Sequence, residues 1–424
     1  MAGVESKGGK MRKLAVSIVM ALAVAAFAVP AFATNGDNVI GVGTISRSMG
    51  GVGAAAPQDA ITAVFGNPAA MCYIPCETSE VDFAATIFDP VIKAEVTTPG
   101  GTLNAVSSGP PYAFPAIGIY TPITPDLRFG LAAYGISGLG VDYKDSDLKG
   151  AFGFPVVPGA PPVDIKTDLQ IMKFAPNLAY RILPNLSVGA ALQLNWAQLD
   201  LGDGSAHNFG VGAQLGISYK PIDPLTIGVT YQTPQKHTFK RIKDFDGNGS
   251  RDRLALEQPQ QVVVGLAYDI IPGKLLMEVD GKWYNWSDAE GYKQFEWDDQ
   301  YIAAVGLQAR PVDWLAIRMG YNYGNNPVDD HSGWSAAQNV DLQGTKVSRA
   351  LLEYFRTVGF PAVVEHHITA GLGVNITKKV SLNAGYTHAF ENTITSQSNA
   401  ASGSLKFESS LSEDSYEVGL NIMF

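Results

Sequence analysis

The sequence has few cysteines and few charges, and it has no long apolar run beyond its first 33 residues. Its two cysteines, Cys72 and Cys76, are too few for a disulfide framework. A C-x3-C pair without a second pair or a nearby histidine is a weak metal signal, which leaves a local disulfide or two thiols. A net charge of −10 argues against nucleic-acid binding. Helical membrane spans, which need 18 or more apolar residues, are not expected in the mature chain.

The remaining composition narrows the class further. Hydrophobic residues make up 46% of the chain, which excludes intrinsic disorder. The 45 glycines and 25 prolines exclude a coiled coil. Charged residues make up only 17%, against roughly 25% in an average soluble protein. A large β-protein with one polar and one apolar face fits these numbers, either as a soluble protein or as a membrane barrel.

Residues 1–33 have the three parts of a signal peptide. A basic region contains Lys7, Lys10, Arg12 and Lys13, and a mainly apolar run covers 14–29. The sequence Ala-Phe-Ala at 31–33 then places small residues where a signal peptidase cleaves. We therefore expect an exported mature chain that begins at Thr34.

Apolar and polar residues alternate with a period of two from about residue 79 onward. In the last strand, Leu420, Ile422 and Phe424 fall on one face, and Glu417 and Asn421 fall on the other. Similar patterns run through 186–196 and 209–219, where the second face holds small or hydrophilic residues. A continuous apolar face opposite a small polar one is typical of a barrel with lipid outside and a polar lumen inside.

Short and long connections alternate along the chain, as they do in outer-membrane barrels. The pattern predicts fourteen antiparallel transmembrane strands within 79–424, including 127–139, 225–240 and 254–269. A lumen of that size needs a plug or it leaks. Residues 34–78 precede the first strand, and we predict that they form this plug, an N-terminal hatch.

Aromatic residues near the predicted strand ends favour the membrane barrel, because such residues form belts at the two membrane interfaces. The alternative is that they pack in an ordinary β-core. The ten residues are Tyr120, Tyr180, Tyr219, Tyr231, Tyr268, Trp283, Trp286, Trp314, Tyr321 and Tyr323.

Several fragments resemble the FadL-type outer-membrane transporters of long-chain fatty acids and other hydrophobic compounds, including aromatic-hydrocarbon channels. The best fragment is SRSMGGVGAAAPQDAITAVFGNPAAM, which ends in Asn67-Pro68-Ala69. YQTPQKHTF, LLMEVDGKWYNWSD and LAIRMGYNYGNNPVDD follow in the same order as in the family. The resemblance implies a fourteen-stranded barrel with a hatch, and a lateral opening beside a kinked third strand.

The resemblance also implies where the protein works and what it meets. We expect a monomer in the outer membrane of a Gram-negative bacterium, in contact with outer-membrane lipid and inserted by the barrel-assembly machinery. We expect no nucleic-acid partner and no cofactor.

Two short motifs are candidates for positioning the path. Asn67-Pro68-Ala69 is predicted to hold the hatch against the third strand, since an asparagine side chain both donates and accepts hydrogen bonds. Gly135, Gly138 and Gly140 interrupt that strand and are candidates for the lateral opening, although they fit a simple strand end equally well.

Charged residues on inward faces are a further set of candidates. A charge on the lipid face costs about 2–4 kcal/mol at the midplane, so these side chains should face the lumen. We expect most of them to form ion pairs with the hatch, with Lys173 or Arg318 available to a substrate carboxylate. The set is Lys173, Glu278, Asp280, Lys282 and Arg318.

Asp244, Asp246, Asn248 and Asp252 form a pattern similar to a calcium-binding loop, with Gly249 at its sixth position. The twelfth position is Ala255 rather than glutamate, so the usual bidentate ligand is missing. Either a Ca²⁺ site or a solvated acidic turn fits this sequence.

The sequence thus predicts passive transport of hydrophobic small molecules, such as long-chain fatty acids or hydrocarbons, through a plugged barrel with a lateral exit. We do not expect an enzyme, because the sequence contains neither a G-x-S-x-G elbow nor an H-E-x-x-H motif. The alternatives are a general porin for polar solutes, and an adhesin or structural barrel that acts through the segment 325–362.

Overall fold

The structure is a computed structural model that describes residues 34–74, 78–109, 112–144, 146, 148 and 166–424. The predicted signal peptide lies outside these residues. So does Cys76, and with it the disulfide hypothesis; Cys72 is buried. No helix within the described residues is long and apolar enough to cross a membrane.

Fourteen strands form a closed antiparallel barrel, which confirms the predicted fold class. Each strand pairs with the next barrel strand along the chain, and the last strand pairs with the first to close the wall. The fourteen strands are β3 (Glu80–Thr98), β5 (Tyr112–Pro122), β6 (Leu127–Asp142), β7 (Lys166–Leu183), β8 (Leu186–Asp200), β9 (Ser205–Ile222), β10 (Leu225–Gln232), β13 (Gln261–Ile271), β14 (Leu275–Tyr284), β15 (Gln300–Val312), β16 (Leu315–Gly324), β20 (His366–Asn375), β21 (Val380–Ser398) and β22 (Lys406–Met423).

The two faces of the wall differ as the period-two pattern predicts. Outward side chains are apolar, with Phe209 73% and Leu215 54% exposed, whereas Glu417 points inward and is buried. Two of the ten belt assignments are wrong. Tyr120 is 1% exposed and faces the lumen, and Trp286 is fully buried beyond the end of β14.

The predicted strands 225–240 and 254–269 are each two strands in the structure. β10 ends at Gln232, and β13 begins at Gln261. Between them, β11 (Gln235–Lys243) and β12 (Asp252–Gln258) pair as a separate hairpin. Pro234 and Pro259 stand at the two breaks, where proline removes the N–H that a continuous ladder needs.

The long connections at the same end of the barrel contain further structure, and together with the hairpin β11–β12 they form what we call the cap. Its remaining elements are β4 (Gly101–Val106), which pairs with β3, β17 (His331–Trp334), which runs parallel to the end of β21, the hairpin β18 (Asn339–Leu342) and β19 (Thr345–Ser348), the helix α3 (Arg349–Tyr354), a π-helical turn (Phe355–Gly359) and a 3-10 turn (Ala400–Ser402). Because outer-membrane barrels carry their longer loops outside the cell, this end is the outer one.

Residues 34–74 pack against the inward faces of the barrel strands, and almost every residue in this segment is buried. We call this segment the hatch. Its elements are β1 (Thr34–Asn35), β2 (Asn38–Val39), α1 (Thr44–Ser48), α2 (Ala60–Gly66) and a 3-10 helix (Pro68–Tyr73). The α2 helix begins at Asp59, whose carboxylate accepts a hydrogen bond from the N–H of Thr62.

Candidate functional site

Three inward side chains of β14 hold the hatch by its backbone. Glu278 accepts from the N–H groups of Ala55 and Ala56 at 2.7 and 3.2 Å, and Asp280 accepts from those of Gly53 and Ala54 at 3.1 and 3.3 Å. Two strand positions further on, Lys282 donates to the carbonyls of Ile40 and Gly51 at 2.9 and 2.8 Å. The expectation of ion pairs is wrong for these three residues, because their partners are hatch backbone groups.

One ion pair does join the hatch to the wall. The guanidinium of Arg47 in α1 contacts the carboxylate of Glu417 in β22 at 2.7 Å, and both side chains are buried. On the same strand, Glu413 accepts a hydrogen bond from the backbone N–H of Thr34 at 2.9 Å. The hatch is therefore anchored on β14 and, on the other side of the lumen, on β22.

Inward glycines allow the hatch backbone to lie directly against the wall. A Cβ at Gly228 would lie 1.9 Å from the carbonyl oxygen of Ala54, and one at Gly320 would lie 2.2 Å from the backbone nitrogen of Gly50. No residue with a side chain fits at these positions without moving the hatch. Other glycines at which a Cβ would meet hatch backbone atoms are Gly118, Gly189, Gly216, Gly265 and Gly306.

Asn67-Pro68-Ala69 lies against β8 and β9. The side-chain amide of Asn67 donates to the carbonyls of Ala54 at 2.8 Å and Ile217 at 3.0 Å, and its oxygen accepts from the N–H of Ala69 at 3.0 Å. The predicted contact of this asparagine with the third strand is wrong, because Gly189 and Gly216 make room for the motif on the neighbouring part of the wall.

The remaining two candidate charges are buried among neutral acceptors. Lys173 donates to the side-chain oxygens of Gln193 at 3.4 Å and Gln232 at 3.0 Å. Arg318 donates to the side-chain oxygens of Gln308 at 2.7 Å and Asn383 at 2.8 Å. The two cations thus occupy separate polar networks, on β7 and on β16.

The wall has an unpaired stretch between β5 and β6. Their ladder runs only from Pro122–Arg128 to Ala116–Tyr134, although β5 continues back to Tyr112 and β6 continues on to Asp142. Over that stretch β5 still pairs with β3, and β6 still pairs with β7. At its outer end the stretch closes again, where the N–H of Ser108 donates to the carbonyl of Asp142 at 2.8 Å. We call this stretch the wall gap.

All three candidate glycines lie on the stretch of β6 at the wall gap. The register of β6 shifts between Gly135 and Ser137, which marks a bulge at this point. The ring of Phe114 from β5 lies over the glycines, since a Cβ would lie 3.1 Å from this ring at Gly135 and 2.2 Å from it at Gly138. Gly140 lies further along, where a Cβ would meet the carbonyl of Thr167 at 2.3 Å.

An apolar cavity lies beneath the cap, and its free volume is about 20 Å³. That volume holds little more than one water molecule, so a larger guest requires the side chains around it to move. The residues that line it are Asp37, Leu169, Leu256, Tyr292, Phe295, Trp297, Phe355, Arg356 and Phe360. Five of the nine are aromatic, so the cavity offers an apolar molecule a desolvated, mainly aromatic environment.

Three rings pack tightly beside this cavity. The ring centres of Trp286 and Tyr292 are 4.5 Å apart, those of Trp286 and Trp297 are 5.2 Å apart, and those of Tyr292 and Trp297 are 4.8 Å apart. Gly36 of the hatch lies against Trp286, because a Cβ at Gly36 would lie 3.2 Å from the indole nitrogen.

Asp37 of the hatch connects the cavity to the wall gap. Its carboxylate accepts a hydrogen bond from the hydroxyl of Tyr292 in the cavity wall. The other carboxylate oxygen accepts one from the hydroxyl of Ser137, beside the bulge of β6, at 2.7 Å. Burial raises the pKa of Asp37 to about 6, although the hydrogen bonds from Tyr292 and Ser137 lower it.

Comparison with known proteins shows a similarity to one family over the first half of the chain. A family model described as "Outer membrane protein transport protein (OMPP1/FadL/TodX)" matches residues 19–207. That match contains the hatch and the wall gap, and the barrel around them has the fourteen strands that the resemblance implies. The chain is similar to this family over that stretch, which is less than half of its length.

Solved structures share the fold of this chain. The toluene transporter TodX of Pseudomonas putida is 18% identical, covers 93% of this chain and 100% of its own, and has a TM-score of 0.64. A Pseudomonas aeruginosa FadL homologue is 14% identical over 92% of this chain and 100% of its own, with a TM-score of 0.67. The toluene transporter TbuX of Ralstonia pickettii is 17% identical over 91% of this chain and 98% of its own, with a TM-score of 0.62.

A curated relative from Chlorobium limicola is similar over a shorter stretch. It is described as an uncharacterized protein in the 5′ region of a phosphoenolpyruvate carboxykinase gene, and it is 42% identical over 85 residues. Those residues are 20% of this chain and 41% of the relative.

The sequence patterns did not reveal the part of the chain that forms the cavity. The segments 287–299 and 325–362 lie between the strands that the alternation predicts, yet they supply Tyr292, Phe295 and Trp297 and, further on, Phe355 and Phe360. A signal was present, because GYKQFEW and LLEYFRTVGFPAVV carry more large apolar residues than solvent-exposed loops usually have.

The acidic loop of the hairpin β11–β12 forms a self-contained turn. Asp244 accepts hydrogen bonds from the N–H groups of Gly247 at 2.8 Å and Gly249 at 2.8 Å, and Asn248 accepts one from Ser250 at 2.8 Å. Asp246 accepts from Asn248 at 3.1 Å, and Asp252 accepts from Phe245 at 3.0 Å. The side-chain oxygens of Asp244, Asp246 and Asp252 lie within 4.8 Å of one another, so this turn fits either of the two interpretations of the sequence.

Proposed function

We propose that this FadL-type chain carries hydrophobic small molecules passively across the outer membrane. A molecule enters the aromatic cavity beneath the cap, passes the end of the hatch at Asp37, and leaves sideways through the wall gap into the membrane. The observation that carries the proposal is the position of Asp37, which bonds the cavity wall at Tyr292 and the bulge beside the gap at Ser137.

The polarity of the surroundings favours this sideways route. Below the cavity the lumen is occupied by the hatch, whose backbone is bonded to Glu278, Asp280 and Lys282. A lipophile that continued straight through the lumen would have to leave apolar surroundings for a polar network, and then for water. The wall gap opens instead toward the apolar outer face of the barrel, so transfer there keeps the molecule desolvated.

The processing of the chain, its division into hatch and barrel, and its oligomeric state are further proposals. We propose that residues 1–33 are a cleaved signal peptide, that 34–78 form a hatch and 79–424 the barrel, and that the protein works as a monomer inserted by the barrel-assembly machinery. We also propose that transport involves no catalytic step and no cofactor, since a concentration gradient drives a passive channel.

The test places a side chain in the wall gap. Gly138→Leu puts a branched chain where the Phe114 ring now lies, because even a Cβ would be 2.2 Å from that ring. Gly281→Leu is the matched control: Gly281 lies on the outer face of β14, and a Cβ there meets nothing within 4 Å. Uptake of a labelled panel of alkanes, aromatics and long-chain fatty acids is compared in cells that make either variant, the wild type or no protein.

We expect Gly138→Leu to lose most of the uptake that the wild type adds, and Gly281→Leu to retain it, with heat-modifiable gel migration normal for both. Wild-type uptake by Gly138→Leu would refute the lateral exit. Uptake of small sugars in place of lipophiles would favour the general porin, and no uptake of any solute would favour the adhesin or structural barrel.

A further inference from the structure

A second cavity lies at the inner end of the barrel, on the opposite side of the hatch from the cap, and we call it the inner cavity. The turn 272–274 between β13 and β14 and Asp313 between β15 and β16 line it, together with Gln58 of the hatch. The short turns of outer-membrane barrels face the periplasm, so the inner cavity opens to that side. Its free volume is about 460 Å³, which lies within the range of about 300–1,000 Å³ that small-molecule sites occupy.

Two arginines line the inner cavity without a carboxylate partner. Arg310 lies on β15 and Arg318 on β16, and among the described residues neither guanidinium forms an ion pair. The two acids that line the same cavity are placed elsewhere, since Glu80 accepts from the N–H of Ala60 at 3.3 Å and Asp313 belongs to an exposed turn. A buried charge without a counter-ion is costly, so an anion that reached these arginines would be bound favourably.

The guanidinium of Arg318 is buried and held in place by neutral groups. Its Nε donates to the side-chain oxygen of Gln308 at 2.7 Å, and its Nη1 donates to that of Asn383 at 2.8 Å. Gly373 makes room for it, because a Cβ at this position would lie 2.8 Å from Nη1 and 3.0 Å from Nη2. A guanidinium has five N–H donors, so these two bonds leave three for a guest.

Arg310 has most of its donors available, and it also contacts the hatch. Its Nη2 lies 3.4 Å from the side-chain oxygen of Gln58, a long distance for a hydrogen bond. The same oxygen accepts from the side-chain amide of Gln308 at 2.9 Å, and Gln308 is also the residue that Arg318 bonds. The two glutamines thus connect both cations to each other and to the hatch, and Lys274 adds a third cation to the lining.

We propose that the inner cavity binds a small organic anion from the periplasm, whose carboxylate or phosphate group is held by Arg310 and Arg318. Guanidinium groups bind both kinds of oxyanion through paired hydrogen bonds. Such a group supplies the counter-charge that the two arginines lack in the described part of the chain. The site goes beyond the proposed transport route, because the hatch lies between it and the cavity beneath the cap.

The experiment measures the binding of succinate, inorganic phosphate and chloride to the purified full-length protein by titration calorimetry at pH 7 in a nonionic detergent. Succinamide, a neutral molecule of nearly the same shape as succinate, tests whether the charge is needed. Arg310→Gln and Arg318→Gln each remove one positive charge. Lys378→Gln is the matched control, since Lys378 is exposed in the turn between β20 and β21 and does not line the inner cavity.

We expect the wild type to bind succinate, phosphate or both, and to bind succinamide and chloride at least about tenfold more weakly. Each arginine variant should weaken the binding of the oxyanion at least about tenfold, and Lys378→Gln should leave it unchanged. Gly373→Ala keeps both charges but displaces the guanidinium of Arg318, so it should weaken binding as well. Binding of succinate alone assigns the site to a carboxylate, and binding of phosphate alone assigns it to a phosphate.

The proposal is overturned if neither succinate nor phosphate binds. It is also overturned if chloride or succinamide binds as tightly as they do, because a diffuse positive field or the shape of the cavity would then explain the result. Unchanged affinity in a folded Arg310→Gln or Gly373→Ala protein would contradict it as well. If Arg318→Gln does not fold, Arg310→Gln still decides, since the side chain of Arg310 makes only the long contact with Gln58.

Discussion

The contact between the hatch backbone and Gly228 of β10 provides the most direct test of whether the hatch blocks the lumen. The substitution that tests it is Gly228→Ala. The new Cβ would lie 1.9 Å from the carbonyl oxygen of Ala54 and 2.9 Å from the Cα of Ala55. Non-bonded heavy atoms rest about 3.5 Å apart or more, so the hatch backbone has to withdraw by about 1.5 Å. Both atoms belong to backbone, which cannot rotate away as a flexible side chain would.

Withdrawal breaks the hydrogen bonds that hold this part of the hatch. The N–H of Ala54 lies 3.3 Å from Asp280 and that of Ala55 lies 2.7 Å from Glu278, so a shift of that size takes both beyond hydrogen-bonding distance. Hydrogen bonds contribute about 0.5–3 kcal/mol each, depending on whether the acceptor is neutral or charged, and the loss is therefore on the order of 1–6 kcal/mol. The ladders of β10 with β9 and β13 use backbone groups that the new methyl does not touch.

We expect Gly228→Ala to form a normal heat-modifiable barrel that conducts ions in planar bilayers well above the wild-type level. Gly281→Ala, which adds the same methyl group on the outer face, should conduct like the wild type. Glu278→Gln, which can still accept from Ala55, should leak less than Glu278→Ala. A Gly228→Ala protein as insulating as the wild type would show that the hatch does not depend on this contact.

Three further predictions follow from other contacts. Asn67→Ala removes the hydrogen bonds to Ala54, Ile217 and Ala69, and the loss of such a buried polar pairing costs about 1–3 kcal/mol. Uptake of hydrophobic compounds should fall while gel migration stays normal. Uptake at the wild-type rate would show that the motif only forms a turn. Cysteines at Leu420 and Ile422, in a background without Cys72 and Cys76, should react with membrane-soluble but not water-soluble thiol reagents, and the reverse labelling pattern would refute the register of β22. Although burial opposes ionisation, hydrogen bonds from His331 and Ser396 and the charge of Arg356 lower the pKa of Glu353 in the cap from 4.5 to about 2. The contribution of its ionised form to stability, on the order of 3 kcal/mol, is therefore complete above about pH 4.5 and is lost as the pH falls toward 2. The tryptophan fluorescence of the cap should change over this pH range in the wild type, and an equal change in Glu353→Gln would show that another group is responsible.

The barrel was predictable because its two environments repeat with the pleat of a strand. Lipid on one side and the lumen on the other force Leu420 and Glu417 onto opposite faces. The same regularity gave a wrong prediction at Pro234 and Pro259, where 225–240 and 254–269 were each predicted as one strand. The period of two continues across both prolines, but the hydrogen-bonded ladder does not. Proline carried the correct signal there, through the N–H that it lacks.

Positions along the membrane normal were harder to predict than faces. Trp286 follows the end of β14, as a belt residue would, but its indole is buried against Tyr292 and Trp297. Nothing local in the sequence distinguishes a ring at the membrane interface from a ring in a cap that folds back over the lumen.

The central contacts of the site lie beyond the reach of a single sequence. Asp37 and Tyr292 are 255 positions apart, and Asp37 and Ser137 are 100 positions apart. Strand parity placed Glu278, Asp280 and Lys282 in the lumen, but parity does not say that their partners are backbone groups. The glycines that face the hatch read as small residues on a polar face, and only the packed hatch shows why they have no side chains.

The wall gap requires the hatch. An unpaired stretch in the wall of an open barrel would let polar solutes and protons reach the apolar outer face, at a cost for every uncovered backbone group. Because Glu278 and Asp280 hold the hatch by its N–H groups and inward glycines admit its backbone, the hatch fills the lumen beside the wall. On the proposed route, the barrel determines where a molecule leaves, and the cavity beneath the cap is where it enters. Relatives that share this barrel should therefore differ in substrate through the residues of the cap and the start of the hatch, with the wall gap and its glycines serving any molecule that is sufficiently apolar.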